Sequence, residues 1–402
     1  MALDFLAQVT PHAAWFQECC LNLRPEDASI VLPMFSSRSA PLLHTMEISF
    51  KHPEYYWNDV DADVEVEVEF DVDDVSQAIN SHTIFNGHTP TLRELHLRHY
   101  LTSWCSPTLS GLTVLWLRDL YHSVRPTIAE LRTVLNCMPD LERLYLHNSI
   151  HGSRYNPATL DTEKVYLPRL AHLLVDAPLS ILARFLSGIN IPATTQVRLG
   201  LHLEARTNAD NYAPVCALLS KKFSNCGDEA TSIAPIRTMV VMQTGTPPQH
   251  MFISFSASGC TRGLRTCNSS LNENCDCDIP LKVDIDWEPD TEDWSDLVVG
   301  ICRIVPLARL ENIILKRCRL PSALWFDILW DLGELHCIEM FHGDLSDFLL
   351  PLSLTSRPLL ENSDGPTDQR TSQLFAPSLE ELYLKMVKTA DVEAIRACTE
   401  VT

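Results

Sequence analysis

The phrase Leu92-Arg93-Glu94-Leu95-His96-Leu97 recurs as Leu112-Thr113-Val114-Leu115-Trp116-Leu117 and again as Leu141-Glu142-Arg143-Leu144-Tyr145-Leu146. Each copy reads L-x-x-L-x-L. In a strand the last two leucines point to one side and the residue between them to the other, while the first leucine holds the turn leading in. The copies start at positions 92, 112 and 141, and those separations fall within the period of leucine-rich repeats. The spacing therefore predicts an α/β chain of leucine-rich-repeat-like solenoid type, with a curved parallel sheet inside and helices and irregular segments outside.

Working outward, the same spacing continues on both sides of these copies. Leu43, Met46 and Ile48 precede them, and Leu170, Leu173 and Val175 follow, with an abbreviated strand at Val197 and Leu199. Ile236, Met239 and Val241 restore the rhythm; Met251 to Phe255 adds a strand, and Leu281, Val283 and Ile285 form another. Three late copies are Leu310/Ile313/Leu315, Leu335/Ile338/Met340 and Leu379/Leu382/Leu384. Apolar residues at helical spacing predict helices over 126–138, 178–189, 215–223 and 294–304, with a short closing helix at Asp391–Cys398.

Residues 1–40 read as a helical N-terminal cap. Leu3, Leu6 and Ala7, then Trp15, Phe16, Cys19 and Cys20, lie at helical spacing, and a further helix from Glu26 to Phe35 is bounded by Pro33. The solenoid then occupies 41–402, with insertions near 256–280 and 355–373. Val64, Val66, Val68 and Phe70 alternate with Glu65, Glu67 and Glu69, the pattern of a strand with one wet face.

Lys and Arg total 31 against 52 Asp and Glu, a net charge of −21, which disfavours nucleic acid and anionic membrane surfaces as partners. The N-terminus lacks the basic, apolar pattern of a secretory signal, and no run reaches membrane-span length, so the reading is an intracellular protein, cytoplasmic or nuclear. The 14 cysteines are then expected as thiols.

No nucleophile elbow, phosphate loop, H-E-x-x-H or G-x-G-x-x-G is present, so the chain reads as a binder and not an enzyme, with no cofactor. Acidic pairs such as Asp61/Asp63 and Asp284/Asp286 share strand faces but are expected by chance in so acidic a chain. Cys260, Cys267, Cys275 and Cys277 are the one metal candidate. Their C-x6-C-x7-C-x-C spacing lacks the C-x-x-C knuckles of zinc sites, and free thiols in a loop are the favoured reading; a metal-dependent enzyme in this region is the remote alternative.

The informative surface is the column of residues between the last two apolar positions: His96, Trp116, Tyr145, Leu174, Ile314, Glu339 and Tyr383. Folding does not require large rings there, whereas Trp and Tyr are enriched among interface anchors. The adjoining column begins Arg98, Arg118, His147, a basic edge suited to an acidic or phosphorylated segment, with pairing to neighbouring carboxylates the favoured reading.

Three longer stretches carry a resemblance beyond the repeat: Pro90–Leu97, Trp104–Leu115 and Leu135–Leu144, joined by Ser37–Leu43 and Leu374–Leu384 near the ends. They resemble the C-terminal part of the F-box/leucine-rich-repeat family of mushroom-forming fungi over nearly the whole chain. The resemblance implies a substrate receptor of an Skp/cullin/F-box ubiquitin ligase: an unidentified protein substrate on the repeats, and the Skp adaptor on an F-box module. The Leu-Pro-x-Glu opening of that module is not found before Ser37. An adaptor-independent scaffold or decoy is the alternative.

Overall fold

In the computed structural model, residues 2–36, 38–50, 85, 88–99, 104, 109–121, 124–152, 164–203, 209–224, 236–244, 251–258, 281–287, 294–305, 307–316, 332–341 and 378–385 are described. The expected acidic strand at 59–74, the closing helix at 391–398, most of the first insertion and all of the second lie outside them. The chain divides into two compact units, one of residues 1–177 and 184–195, the other of 178–183 and 196–402.

The first unit is built on a parallel sheet in chain order: β1 (Glu18–Leu23), β2 (Thr45–Phe50), β3 (Glu94–Arg98), β4 (Val114–Arg118), β5 (Arg143–His147) and, beside β5, β7 (His172–Pro178). Its rungs repeat at the level of single hydrogen bonds. The first leucine of the phrase closes a turn by donating its amide to the carbonyl three residues back, as Leu43 does to Ala40, Leu92 to Thr89, Leu141 to Met138 and Leu170 to Leu167. Just after it, consecutive amides share one carbonyl of the preceding rung: His44 and Thr45 donate to Gln17, Arg93 and Glu94 to His44, Thr113 and Val114 to Arg93, Glu142 and Arg143 to Thr113, and Ala171 and His172 to Glu142. After the strand the backbone turns left-handed at His99, Asp119 and Asn148 (φ +52°, +49° and +45°). There the amides of these three residues donate to the carbonyls of Arg118, His147 and Asp176. The phrase thus sets three things per rung: an opening turn, a register, and an exit.

The inward leucines are the core. Leu95, Leu97, Leu115, Leu117, Leu144, Leu146, Leu173 and Val175 are buried, as are Leu43, Leu92, Leu112, Leu141 and Leu170 at the turn position. Each such side chain contributes about 1.5–3 kcal/mol relative to exposure. The outer side carries α3 (Ile128–Asn136), opened by a capping box in which Thr127 and Glu130 satisfy each other's backbone amides, with Leu131, Val134 and Leu135 buried. Helix α4 (Leu179–Ser187) follows β7, with Leu182, Phe185 and Leu186 buried. A short parallel pair, β6 (Val165–Tyr166) and β8 (Ile189–Asn190), has no counterpart in the repeat spacing. Gly188 precedes β8 because a Cβ there would stand 3.1 Å from Nε of Arg132.

One expectation for the N-terminal region is corrected, and the helix expected at Glu26–Phe35 is present. Glu18-Cys19-Cys20-Leu21-Asn22-Leu23 is not helical but the first strand, with Cys19, Leu21 and Leu23 buried and their neighbours exposed. Helix α1 (Ala2–Val9) is followed by a 3-10 turn (Thr10–Trp15) that Pro11 opens; this turn ends just before the strand. Helix α2 (Pro25–Ser36) runs through Pro33, which costs one internal hydrogen bond but does not end it.

The second unit departs from chain order. Its sheet runs β9 (Gln196–Leu203), β12 (Leu281–Trp287), β11 (Met251–Ser258), β10 (Thr238–Thr244), β13 (Asn312–Lys316), β14 (Cys337–Phe341) and β15 (Glu381–Lys385). β11 is antiparallel to both its neighbours; every other pairing in this unit is parallel. Antiparallel neighbours need only a direct turn, whereas parallel ones need a crossover. The crossovers are α5 (Ala209–Ser224), between β9 and β10, and α6 (Trp294–Ile304), between β12 and β13, and the two helices pack on each other. At that contact a Cβ on Gly300 would lie 3.4 Å from Sγ of Cys216. The expected succession of neighbouring rungs is therefore broken here: β12, not β10, lies beside β9. Nor is β9 abbreviated, since Val197, Leu199, Leu201 and Leu203 alternate inward along eight residues. The three late rungs restore the shared-carbonyl bond, on Arg237, Glu311 and His336.

Candidate recognition surface

Register brings the predicted ring column together on the open face of the first unit. His96 is opposite Trp116, Trp116 opposite Tyr145, and Tyr145 opposite Leu174. The His96 and Trp116 ring centroids are 5.1 Å apart, and those of Trp116 and Tyr145 5.4 Å, at interplanar angles of 52° and 43°. These separations are those of attractive ring pairs. Trp116 keeps 36% of its surface exposed although its strand neighbours Leu115 and Leu117 are fully buried. The column extends further than its predicted start, through Glu47 on β2 to Cys20 on β1.

Charge is unevenly placed around the rings. Burial lowers the pKa of His96, against the opposing pull of Glu47 and Glu94, with Arg143 lowering it further, so the imidazole is neutral at neutral pH. Its Nε2 is shielded from solvent and has no hydrogen-bond partner among the described residues. The Cys20 thiol is raised by burial first and then by Glu47, to which it is hydrogen-bonded, so it is a poor nucleophile.

The predicted basic edge is present but internally neutralised. Arg98, Arg118 and His147 stand in register. Oδ2 of Asp119 lies 3.2 Å from Nε of Arg118 and 3.7 Å from Nε of Arg98, while Nε2 and Nδ1 of His147 lie 3.3 and 3.2 Å from carboxylate oxygens of Asp119 and Asp176. Of the two uses weighed for this edge, pairing with neighbouring carboxylates is the one observed.

In the second unit the column does not continue as an open face. Ile314 and Glu339 are buried, a correction to their predicted exposure, whereas Tyr383 on β15 is 43% exposed. Asp284 is held by Lys282 at 2.8 Å, as expected of a strand-face charge pair. Cys260, Cys267, Cys275 and Cys277 lie outside the described residues. Among the described residues no cluster of His, Cys, Asp or Glu has metal-binding geometry. Likewise, none of their helices is long and apolar enough to cross a membrane.

Sequence reasoning misses Cys20 and Glu47 as members of the column, and Asp119 and Asp176 as partners of the basic edge. Phe16-x-x-Cys19-x-Leu21 carries the repeat spacing with other apolar residues, and that is the signal from which β1 could be found. No family model matches the chain, and comparison with curated proteins yields no match.

Proposed function

We propose that this is a non-catalytic recognition protein: a leucine-rich-repeat solenoid that captures a protein partner on the open face of strands β2–β5. The observation that carries the reading is the exposed Trp116 ring, flanked by His96 and Tyr145 on strands whose opposite side is buried leucine. A preformed, rigid row of aromatic side chains loses little conformational entropy on binding, which is what a hot spot requires. By its resemblance, the protein acts as the substrate-recognition part of an Skp/cullin/F-box ubiquitin ligase.

The second reading is an adaptor-independent scaffold or decoy. Residues 2–36 supply β1 and the helices around it, so this segment is part of the sheet's own structure, and the adaptor question is decided by what the chain captures. Both readings share the capture surface. Affinity purification of the chain from its own cell extract tests them, with the Skp adaptor and cullin as readouts. Both proteins in stoichiometric amount support the ligase receptor; captured partners without either support the scaffold. Loss of all capture in a folded Trp116→Ala/Tyr145→Ala variant supports the surface itself.

A further inference from the structure

The ring column has a charge asymmetry that specifies the chemistry of its occupant. On the β1–β3 side the exposed Glu18 and Glu47 and the half-buried Glu94 belong to no ion pair among the described residues. Of the neighbouring cations, Arg98 and Arg118, at the far ends of β3 and β4, pair with Asp119, and Arg93, next to Glu94, donates to the carbonyls of Leu92 and Gly111. On β5, two residues before Tyr145 and in the register row of Glu94, Arg143 is exposed and likewise belongs to no ion pair among the described residues. The surface thus carries carboxylates on β1–β3 and one guanidinium on β5, with the rings spanning β3–β5, on a chain of net charge −21.

Resting on the recognition reading above, we propose that the partner is a basic protein segment lying across the strands. Its Lys or Arg side chain meets Glu47 and Glu94, and an apolar side chain covers Trp116 and Tyr145. Complementary charge would steer this encounter and fix its direction, because the same segment reversed would set its cation against Arg143.

The sheet also sets the spacing. Glu47 and Trp116 stand on strands two places apart, about 10 Å at the usual strand separation. An extended segment advancing about 3.3 Å per residue covers that in about three residues. Side chains on one face of an extended segment recur at every second residue, so the motif is a basic residue with an apolar anchor two or four positions away.

The test is selection of a random peptide display library on the full chain, run in parallel on Glu47→Lys/Glu94→Lys and on Trp116→Ala/Tyr145→Ala, with folding checked by circular dichroism. The expected result is a wild-type pool enriched in Lys or Arg two or four positions from an apolar residue. Those peptides should bind the charge-reversed variant at least about tenfold more weakly. A neutral or acidic wild-type pool, an absence of enrichment, or equal binding to the charge-reversed variant overturns the basic-segment inference. Retention of the wild-type pool by the aromatic variant overturns the capture surface itself, so the two failures are distinct.

Discussion

Strands β2–β5 and strands β13–β14 use the same rung, with the same shared-carbonyl bond at its start, and differ in what becomes of the outward residue. In the first set that residue is Glu47, His96, Trp116 or Tyr145 and stays open or partly open; in the second it is Ile314 or Glu339 and is buried. The backbone repeat therefore dictates which side of the sheet a residue takes, but not whether that side meets solvent. Apolar residues on the core side are fixed by folding in both sets. Outward rings are free of that requirement in the first set alone, and a Trp left 36% exposed there is the residue whose presence the fold does not explain.

The sharpest way to break this contrast is to exchange the two sides of one strand. Leu117→Asp places a carboxylate at a fully buried, leucine-lined position, which costs several kcal/mol and should unfold the first unit. Leu117→Ala should cost about 2–5 kcal/mol. Trp116→Ala, one residue away, should change stability by less than about 1 kcal/mol yet weaken partner capture by about 2 kcal/mol or more, the scale of a hot spot. Urea unfolding beside a capture assay separates the effects. A Trp116→Ala variant as unstable as Leu117→Ala would make Trp116 a core residue and remove the contrast.

The first unit is legible in the sequence because its information is local. Two leucines at i and i+2 with a third three residues earlier specify strand, facing and turn, so spacing alone places Leu92 to Leu146. β1 reads as a helix because Trp15, Phe16, Cys19 and Cys20 also satisfy helical spacing, and six residues are too few to separate the two periods. Only the register with β2, Cys19 opposite Met46 and Leu21 opposite Ile48, settles it. The reversal of β10 to β12 is illegible for a different reason. Each strand shows in the spacing, but which strand it pairs with is a tertiary choice, since Leu281, Val283 and Ile285 fit beside Val197, Leu199 and Leu201 as well as any rung would. The basic edge is hidden in the same way: Asp119 follows Arg118 in sequence, but its reach to Arg98 and His147 depends on register.

The turn after each strand gives an intermediate effect. Asn148 sits at φ +45°, which Asn tolerates and β-branched residues do not. Asn148→Val should cost about 1–2 kcal/mol, whereas Asn148→Gly should be close to neutral because glycine reaches that conformation without strain. The comparison in the second unit is Gly300, where an added methyl would meet Cys216 at ordinary contact distance. Gly300→Ala should leave the α5–α6 contact intact and gain up to about 1 kcal/mol from helix propensity, while Gly300→Leu should destabilise by forcing the helices apart. Thermal melts of the four variants check both pairs.

The smallest expected effect concerns His96, and it isolates the open face from the core. Its pKa is lowered in the folded chain, chiefly by burial, relative to about 6.5 when unfolded. As pH falls through that unfolded value, the unfolded chain takes up a proton that the folded chain does not, so stability declines; above it the contribution is fully present. His96→Leu should flatten this part of the pH profile, and because it also removes an Nε2 shielded from solvent without a partner among the described residues, it should not lower stability at neutral pH. The same substitution takes one ring from the row beside Trp116, so capture should weaken while stability holds. A variant that lost stability and capture together would place His96 with the leucines, as part of the fold and not of the surface it presents.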